Sequence, residues 1–251
     1  MNTENYLDHT FVVTSYDMDI WGYMRPTAIL NICQEVAYIH SAQKDLGFDT
    51  LLSHNMAWVL SRVKVAIERL PVWREQVRVR TWHKRQSGVF SLRDYIFYDA
   101  DDKAIIRVTT SWLIINLESR RIIRADKIFN NEGALTLAEY PHDAITEEAE
   151  RIEIPTERCS AGDHKVYYSD MDVNHHVNNT RYLEWACDHS PKQMQPDVTL
   201  KGLCINFNHE AKFEDVVSLS TAPISPETTL IEGSIAQKNI FAVTMEYTIK
   251  Q

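Results

Sequence analysis

The chain lacks several features that mark whole classes of protein. Its apolar runs, such as VTTSWLIINL at 108–117, are far too short to span a bilayer, which takes about 20 residues. Its four cysteines include no Cys-x-x-Cys pair, so we expect reduced, mostly buried thiols and neither disulfides nor zinc. A formal net charge of −9 argues against a general affinity for nucleic acid or anionic lipid, because both need a basic surface.

The N-terminal segment also lacks a targeting pattern. The first residues, MNTENYLDHTFVV, show neither a basic patch before an apolar core nor the Arg-rich, acid-poor composition of a transit peptide. We therefore expect a cytoplasmic protein with no membrane span. At 251 residues, the chain can form one large domain or two small ones.

An internal repeat indicates two domains. The segment YDMDIWGYMRPTAILN from Tyr16 aligns with SDMDVNHHVNNTRYLE from Ser169, and a later segment ending at Thr81 aligns with one ending at Thr221. Two separate matches in the same order argue against coincidence. The repeat predicts an N-terminal domain at 1–125 and a C-terminal domain at 159–251, joined by an acidic, irregular linker at 126–158.

Each copy has the pattern of an extended entry segment, a helix and several strands. In the first copy, Pro26 suits the opening of a helix and Gly47 its end. The segments SRVKVAI, EQVRVRTW, FSLRDYIFYD and IIRVTTSWLIINL then alternate as half-buried strands do. We therefore expect an α+β fold in which each domain is a long buried helix wrapped by an antiparallel sheet.

A polar stretch, DVNHHVNNTRYLEW at 172–185, stands just ahead of the second predicted helix. In an extended chain alternate side chains share a face, so Asp172, Asn174 and His176 would converge on one side. Asn178 or Asn179 can cap the helix, whose positive end would favour neutral imidazole and an oxyanion alike. Such a site suits acyl chemistry.

The two copies together resemble the double hotdog arrangement, and the sequence is similar to the acyl-acyl carrier protein (acyl-ACP) thioesterases of bacteria and plastids. The likeness covers nearly the whole chain, including MAWVLSRVKVAIERLPVWREQVRVRTW and SWLIINLESRRIIR in the first half, and SDMDVNHHVNNTRYLEW and LCINFNHEAKFEDVV in the second. Its signature, Asp-x-Asn-x-His-x-Asn-Asn followed by a glutamate on the next strand, implies a catalytic group formed by Asp172, Asn174, His176 and Glu210.

The resemblance also implies the reaction. It implies hydrolysis of the thioester of acyl-ACP with release of a free fatty acid, which ends chain elongation, with acyl carrier protein as partner and no cofactor. Two positions depart from the plant pattern. Ala211 stands where many plant members carry a cysteine, which excludes a cysteine nucleophile there, and His175 stands where glutamine is common.

The first copy serves as an internal control. The positions of Asn174, His176 and Glu210 are held there by Trp21, Tyr23 and Leu70, and only Asp172 keeps its counterpart, Asp19. We therefore expect the second copy to be catalytic and the first to shape the space for an acyl chain. An aspartate kept in both copies is expected to orient the loop.

The residue types allow a role for each group. Glu210 fits as a general base or as a nucleophile, and the sequence leaves both mechanisms open. Asn174 offers an amide that can position the carbonyl or the water, and His176 can orient, donate or shuttle a proton.

A second set of candidates is basic. Arg62, Lys64, Arg78 and Arg80 alternate with valines and are expected on the outer face of two strands. They could dock an acidic carrier protein, or they could simply form a solvated sheet face.

Other functions remain open from sequence. An acyl-CoA thioesterase and an (R)-specific enoyl thioester hydratase are alternatives within the hotdog fold, and a non-catalytic acyl or lipid-binding module is an alternative of another class. Asp17 would be the catalytic residue if YDMDIWGYM acts like the D-x-D-x-x-G loop of single-hotdog acyl-CoA thioesterases. His175 and His209 suggest a metal site, but it is disfavoured because two adjacent histidines of an extended chain point apart and no cysteine ligand is suitably spaced. A homodimer is compatible with the sequence.

Overall fold

The protein is described by a computed structural model, which covers residues 5–124, 140–190, 192 and 195–249. The chain divides into two compact units: the first comprises Met1–Ser61 and Glu68–Glu148, and the second comprises Arg62–Ile67 and Ala149–Gln251. Of the predicted linker at 126–158, residues 126–139 lie outside the described residues. Residues 140–148 belong to the first unit, and residues 149–158 belong to the second.

The first unit combines two helices with antiparallel strands. In chain order these are β1 (Tyr6–Val12), α1 (Pro26–Ala42), α2 (Phe48–Ser53), β2 (Met56–Ile67), β3 (Gln76–Ser87), β4 (Phe90–Tyr98), β5 (Ala104–Asn116) and β6 (Ile122–Ile123). Of β2, only residues 56–61 belong to the first unit, and residues 62–67 belong to the second. The strands neighbour one another in the order β1-β3-β4-β5-β2, and β6 pairs with β5. The four strands that alternation predicts are confirmed as β2 to β5.

Alternation sets which face of each strand is buried. Val77 and Val79 of β3 are fully buried, whereas Arg78 and Arg80, which alternate with them, are half-buried on the opposite face. A shift of register by one residue would exchange these two sets, so burial of the valines fixes the pairing of β3 with its neighbours.

Helix α1 starts where the sequence indicates and ends earlier than expected. Pro26 occupies the first turn, as predicted. The helix ends at Ala42, and the chain turns away through Asp45, whose φ is 56°. The prediction that Gly47 ends α1 is therefore wrong. Gly47 instead precedes α2, and a Cβ at this position would lie 3.0 Å from Cα of Ala42, a tight contact that a larger residue would relieve only by shifting the backbone.

One face of α1 packs into the first unit. From Ile29 to His40 its buried residues follow the spacing of one helical face, and the first turn is buried more widely: Ala28, Ile29, Leu30, Cys33, Val36, Ala37 and His40.

The second unit repeats the pattern with a shorter helix. It contains β7 (Cys159–Lys165), α3 (Asn179–Asp188), β8 (Val198–Phe207), β9 (Val216–Pro223), β10 (Thr228–Ile235) and β11 (Lys238–Ile249). The strand order is β8-β11-β10-β9-β7, and residues 62–66 pair antiparallel with the other edge of β8. The predicted cap of α3 is Asn178, whose side chain accepts a hydrogen bond of 2.9 Å from the Thr180 N–H.

Residues 140–158 form neither helix nor strand, yet each part is fixed to its own unit. In the first unit the Ala144 N–H donates to the buried Asp94 carboxylate at 2.7 Å. In the second unit the buried Asn206 side chain accepts from the Ile152 N–H and donates to the Glu150 carbonyl, both at 2.8 Å. These bonds satisfy buried polar groups that would otherwise destabilise the strands.

In the described part of the chain, no helix combines the length and the apolar content that crossing a membrane requires.

Candidate active site

The candidate loop of the second unit is a turn held by its own aspartate. The His175 N–H donates to the Asp172 carbonyl at 3.1 Å, and the Asp172 carboxylate accepts the Asn174 N–H at 2.8 Å. His175 has a φ of 60°, and its counterpart in the first copy is Gly22, with a φ of 81°. The expectation of an extended stretch is wrong, because the aspartate side chain stabilises a turn instead.

The same loop is built in the first unit. There the Asp19 N–H donates to the Tyr23 carbonyl at 2.8 Å, and in the second unit the Asp172 N–H donates to the His176 carbonyl at 2.9 Å. Helices α1 and α3 follow at equivalent places. The internal repeat found in the sequence is therefore confirmed at the level of single hydrogen bonds.

A further hydrogen bond ties each loop to the segment that connects two strands. In the second unit this segment joins β8 to β9 and contains Glu210, so the expectation that the glutamate lies on a strand is wrong. In the second unit the Val177 N–H donates to the Ala211 carbonyl at 3.2 Å, and in the first unit the Met24 N–H donates to the Pro71 carbonyl at 2.8 Å. Since Glu210 precedes Ala211, this bond holds Glu210 next to the loop.

His176 and Glu210 are brought together by this arrangement. His176 Nε2 lies 3.2 Å from Glu210 Oε2, and the two side chains are 29% and 36% exposed. A neutral imidazole that carries its proton on Nε2 would donate to the carboxylate and fix its orientation. The glutamate side chain remains open to solvent and is therefore accessible to a ligand.

Asp172 and Asn174 form a second pair. Besides the backbone contact, the Asn174 amide lies 3.5 Å from the Asp172 carboxylate, at the outer limit of a hydrogen bond. The Asn174 side chain is exposed and so can turn towards a ligand. The four predicted site residues thus fall into two side-chain pairs, which the Asp172–His176 backbone bond joins.

Tyr182 of α3 joins this site, although sequence reasoning did not single it out. The Ala211 N–H donates to its hydroxyl at 3.0 Å, and the residue is only 3% exposed. Burial raises its pKa to about 12, so the phenol is protonated at neutral pH. The repeat alignment contained a signal for this residue, because the counterparts of Tyr182 and Ala211 are Ile29 and Pro71.

Asp170 and His164 form another pair that sequence reasoning missed. His164 Nε2 lies 3.2 Å from Asp170 Oδ2, and the imidazole stacks on the Trp185 ring at a centroid distance of 4.2 Å. The Tyr167 N–H also donates to the Asp170 carboxylate, at 2.8 Å. Asp170 is buried, so this pair lies beneath the loop and supports it.

Asp17, the alternative catalytic residue, is the first-unit counterpart of Asp170. Its carboxylate accepts from the Thr14 N–H at 3.2 Å and from the Thr14 hydroxyl. Both bonds close the turn at 15–17, which gives Asp17 a capping role.

In the first unit, two of the basic candidates are held by acidic partners. Arg80 lies 2.7 Å from the Asp8 carboxylate, and Arg78 lies 3.3 Å from Asp8 and 2.6 Å from Asp102. Burial alone would raise the pKa of Asp8, but the hydrogen bonds and positive charges of Arg80 and Arg78 hold it below its usual value. These two arginines therefore carry little uncompensated charge.

The other two basic candidates lie in the second unit. Lys64 Nζ is 3.3 Å from the exposed Glu150 carboxylate, and Arg62 donates to the Ala149 carbonyl at 3.4 Å. A partner that competes with Glu150 could reach Lys64, whose side chain is 30% exposed.

The cysteines are free, as expected, although not all are buried. Burial raises the pKa of Cys187 to about 12 and that of Cys204 to about 11, and Cys33 is fully enclosed. Cys159 is exposed on β7 and is the exception among thiols expected to be mostly buried. Within the described ranges, no cluster of three or more His, Cys, Asp or Glu side chains could hold a metal ion.

Comparisons with known families match both halves of the chain. The model of the acyl-ACP thioesterase N-terminal domain matches residues 4–131, and the model of the acyl-ACP thioesterase C-terminal domain matches residues 154–249. The four candidate residues at 172–210 all lie within the second match.

Individual relatives agree with these matches. An oleoyl-acyl carrier protein thioesterase of Coriandrum sativum is 26% identical over 94% of this chain and 68% of its own length. A second, from Arabidopsis thaliana, is 28% identical over 86% of this chain and 62% of its own length. The chain therefore spans about two thirds of these curated relatives.

A crystal structure of an acyl-ACP thioesterase from Bacteroides thetaiotaomicron has a similar fold. It superposes with a TM-score of 0.88 at 22% identity, and the match covers 97% of this chain and 98% of that one. The predicted double hotdog arrangement is confirmed by this likeness.

Proposed function

Because the chain belongs to the acyl-ACP thioesterase family, we propose that it hydrolyses the thioester of an acyl-acyl carrier protein and releases a free fatty acid. The observation that carries the proposal is the contact of 3.2 Å between His176 and Glu210, in the unit that the C-terminal family model matches. It supplies an oriented carboxylate at a solvent-accessible place.

Glu210 begins the reaction. As a general base it takes a proton from water while the water oxygen attacks the thioester carbonyl, and as a nucleophile it would attack that carbon itself. His176 holds the carboxylate in position in either case. On the general-base route the tetrahedral intermediate collapses, the C–S bond breaks, the fatty acid is released, and the carrier thiolate takes the proton held by Glu210. On the nucleophile route the collapse leaves the acyl group on Glu210 as an anhydride, and a water then hydrolyses it, which releases the fatty acid, restores the carboxylate and supplies a proton for the thiolate.

Asn174 and Asp172 support this step. The exposed Asn174 amide would donate to the oxygen of the thioester carbonyl as negative charge develops there. Asp172 holds the turn that presents Asn174, through the hydrogen bond of 2.8 Å to its N–H.

The remaining parts of the proposal concern the whole protein. The first domain, at 1–125, would shape the space for the acyl chain, because apolar residues replace the catalytic ones in its loop. The segment at 126–158 would connect it to the catalytic domain at 159–251. Acyl carrier protein is the proposed partner. We also propose a cytoplasmic location, which cell fractionation would test. We further propose a homodimer, which sedimentation of the purified protein would test.

The decisive experiment replaces Glu210 by glutamine. This change keeps size and hydrogen bonding but removes the base, so kcat for release of thiol from acyl-ACP should fall by about a hundredfold or more. The matched control is Asp17→Asn in the first unit, which should leave kcat within a few-fold. A silent Glu210→Gln variant beside an inactive Asp17→Asn variant would reverse the assignment of the site.

The same assay distinguishes the alternatives. Acyl-ACP and acyl-CoA of equal chain length would be compared for thiol release, and an enoyl thioester would be followed for hydration of its double bond. Faster turnover of acyl-CoA would contradict the carrier specificity, and hydration without thiol release would contradict hydrolysis. Binding without turnover would indicate an acyl-binding module.

A further inference from the structure

We infer that Tyr182 is a positioning residue for Glu210, acting through the main chain at Ala211. The inference rests on the proposed function. The Ala211 N–H donates to the Tyr182 hydroxyl at 3.0 Å, and both residues are buried, at 0% and 3% exposure. A buried N–H needs an acceptor, and here a side chain of α3 supplies it.

The tyrosine is itself held in place. Its ring packs against three other aromatic rings of the second unit, with centroid distances of 5.1 Å to Trp185, 5.2 Å to Phe241 and 6.0 Å to Phe207. Ring contacts of this kind restrict the side chain to one orientation. The hydroxyl is therefore a fixed point from which the segment between β8 and β9 can be positioned.

Ala211 is held on both of its polar groups. Its N–H is bonded to Tyr182, and its carbonyl accepts the Val177 N–H of the candidate loop at 3.2 Å. The peptide that joins Glu210 to Ala211 is thus anchored to α3, and the next peptide is anchored to the loop that carries His176. The exposed Glu210 side chain extends from a backbone that cannot shift freely, and this maintains its contact of 3.2 Å with His176.

The first unit has no glutamate at the position of Glu210, so it shows which hydrogen bonds the loop has without one. It keeps the loop-to-strand bond, since the Met24 N–H donates to the Pro71 carbonyl at 2.8 Å. It has no counterpart of the bond from the Ala211 N–H to the Tyr182 hydroxyl, because both partners are missing. Pro71 has no N–H, and Ile29, the counterpart of Tyr182, has no hydroxyl. The hydroxyl–amide pair is therefore dispensable for the loop and is present where Glu210 is present.

The test is a double-mutant cycle of Tyr182→Phe and Glu210→Gln, with kcat and KM measured on acyl-ACP. Tyr182→Phe removes only the hydroxyl, and we expect kcat to fall about tenfold while KM stays within about threefold, as for a misplaced catalytic group. If Tyr182 acts through Glu210, adding Tyr182→Phe to Glu210→Gln should lower kcat by less than about twofold further.

The matched control is Tyr247→Phe. Tyr247 is also buried in the second unit, and its hydroxyl lies 2.7 Å from Ser190 Oγ, so this variant loses a similar hydrogen bond away from the site. It should be destabilised to a similar extent and keep wild-type kcat.

Three results would overturn the inference. These are an unchanged kcat in Tyr182→Phe, a fall in kcat in the double variant equal to the product of the two single-variant falls, or a fall in kcat in Tyr247→Phe as large as that in Tyr182→Phe. A Glu210→Gln variant with normal kcat is a different failure, because it would overturn the proposed function itself.

Discussion

Asp19 and Asp172 make the same hydrogen bond in two different units. The Asp19 carboxylate accepts the Trp21 N–H at 2.9 Å, and the Asp172 carboxylate accepts the Asn174 N–H at 2.8 Å. The shared bond closes the turn, so it belongs to the fold. What differs is the residue presented two positions later, which is a tryptophan in one unit and an asparagine in the other.

Alanine at each of these aspartates would separate folding from catalysis. Each variant should lose about 1 kcal/mol of unfolding free energy per hydrogen bond removed. Asp19→Ala should lose more, because the Asp19 carboxylate also accepts the Tyr23 N–H at 2.9 Å. Only Asp172→Ala should also lower kcat, by about tenfold or more, because only its turn presents a site residue. Denaturant unfolding and steady-state kinetics on the pair check this, and equal kinetic losses would contradict the catalytic role of the second unit alone.

Charge reversal at Lys64 would test docking of the acidic carrier. Lys64→Glu should raise KM for acyl-ACP several-fold, with a loss that shrinks at high salt and an unchanged kcat. Folding should survive, because an exposed ion pair such as that with Glu150 contributes little. Lys165→Glu is the control, since Lys165 also faces an exposed glutamate, at 3.6 Å. If both variants behave alike, Lys64 belongs to a solvated sheet face.

Alkylation should leave the enzyme active. Iodoacetamide should add one group, at the exposed Cys159, because burial raises the pKa values of the Cys33, Cys187 and Cys204 thiols. Ala211 offers no thiol beside Glu210. Intact mass and activity would be followed together on the folded protein, and inactivation that substrate prevents would place a reactive cysteine in the site.

Two buried histidines should make the protein less stable in mild acid. Burial lowers the pKa of His40 and of His83 to about 3, with the nearby Arg93 charge adding to the effect. The unfolded chain therefore binds more protons than the folded one between about pH 6.5 and pH 3. Each histidine should remove about 1.4 kcal/mol of unfolding free energy per pH unit as the pH falls through this window.

His40→Asn isolates one of these contributions. His40 Nδ1 lies 2.9 Å from Arg93 Nη1, and an asparagine oxygen could accept that bond without titrating. The free energy of unfolding of wild type and variant would be measured in denaturant at pH 7, 6 and 5. The contributions of the other titrating groups are common to both proteins and cancel in the difference. As the pH falls, the unfolding free energy of the variant should decrease less steeply than that of wild type. If the two unfolding free energies change in parallel with pH, His40 takes up a proton in the folded chain as readily as in the unfolded chain.

Much of this molecule follows from local sequence. Alternation predicted strands β2 to β5, Pro26 marked the start of α1, and the repeat aligned Glu210 with Leu70, an alignment that the Val177–Ala211 and Met24–Pro71 bonds reproduce. These features depend on side-chain period, ring geometry and chain order, all of which can be read along the chain. The four candidate site residues came from the same reading, together with the family resemblance.

Other features depend on which distant residues meet. Arg80 is held by Asp8, 72 positions away, because β1 and β3 pair with these two residues opposite each other. The Asp172 carboxylate turned an expected strand into a turn, and α3 brought the Tyr182 hydroxyl to the Ala211 N–H across 29 positions. The sequence by itself determined the repeated pattern and the chemistry of the second copy. Only tertiary packing decided how the glutamate is held, because backbone hydrogen-bond partners are set by strand register and helix placement.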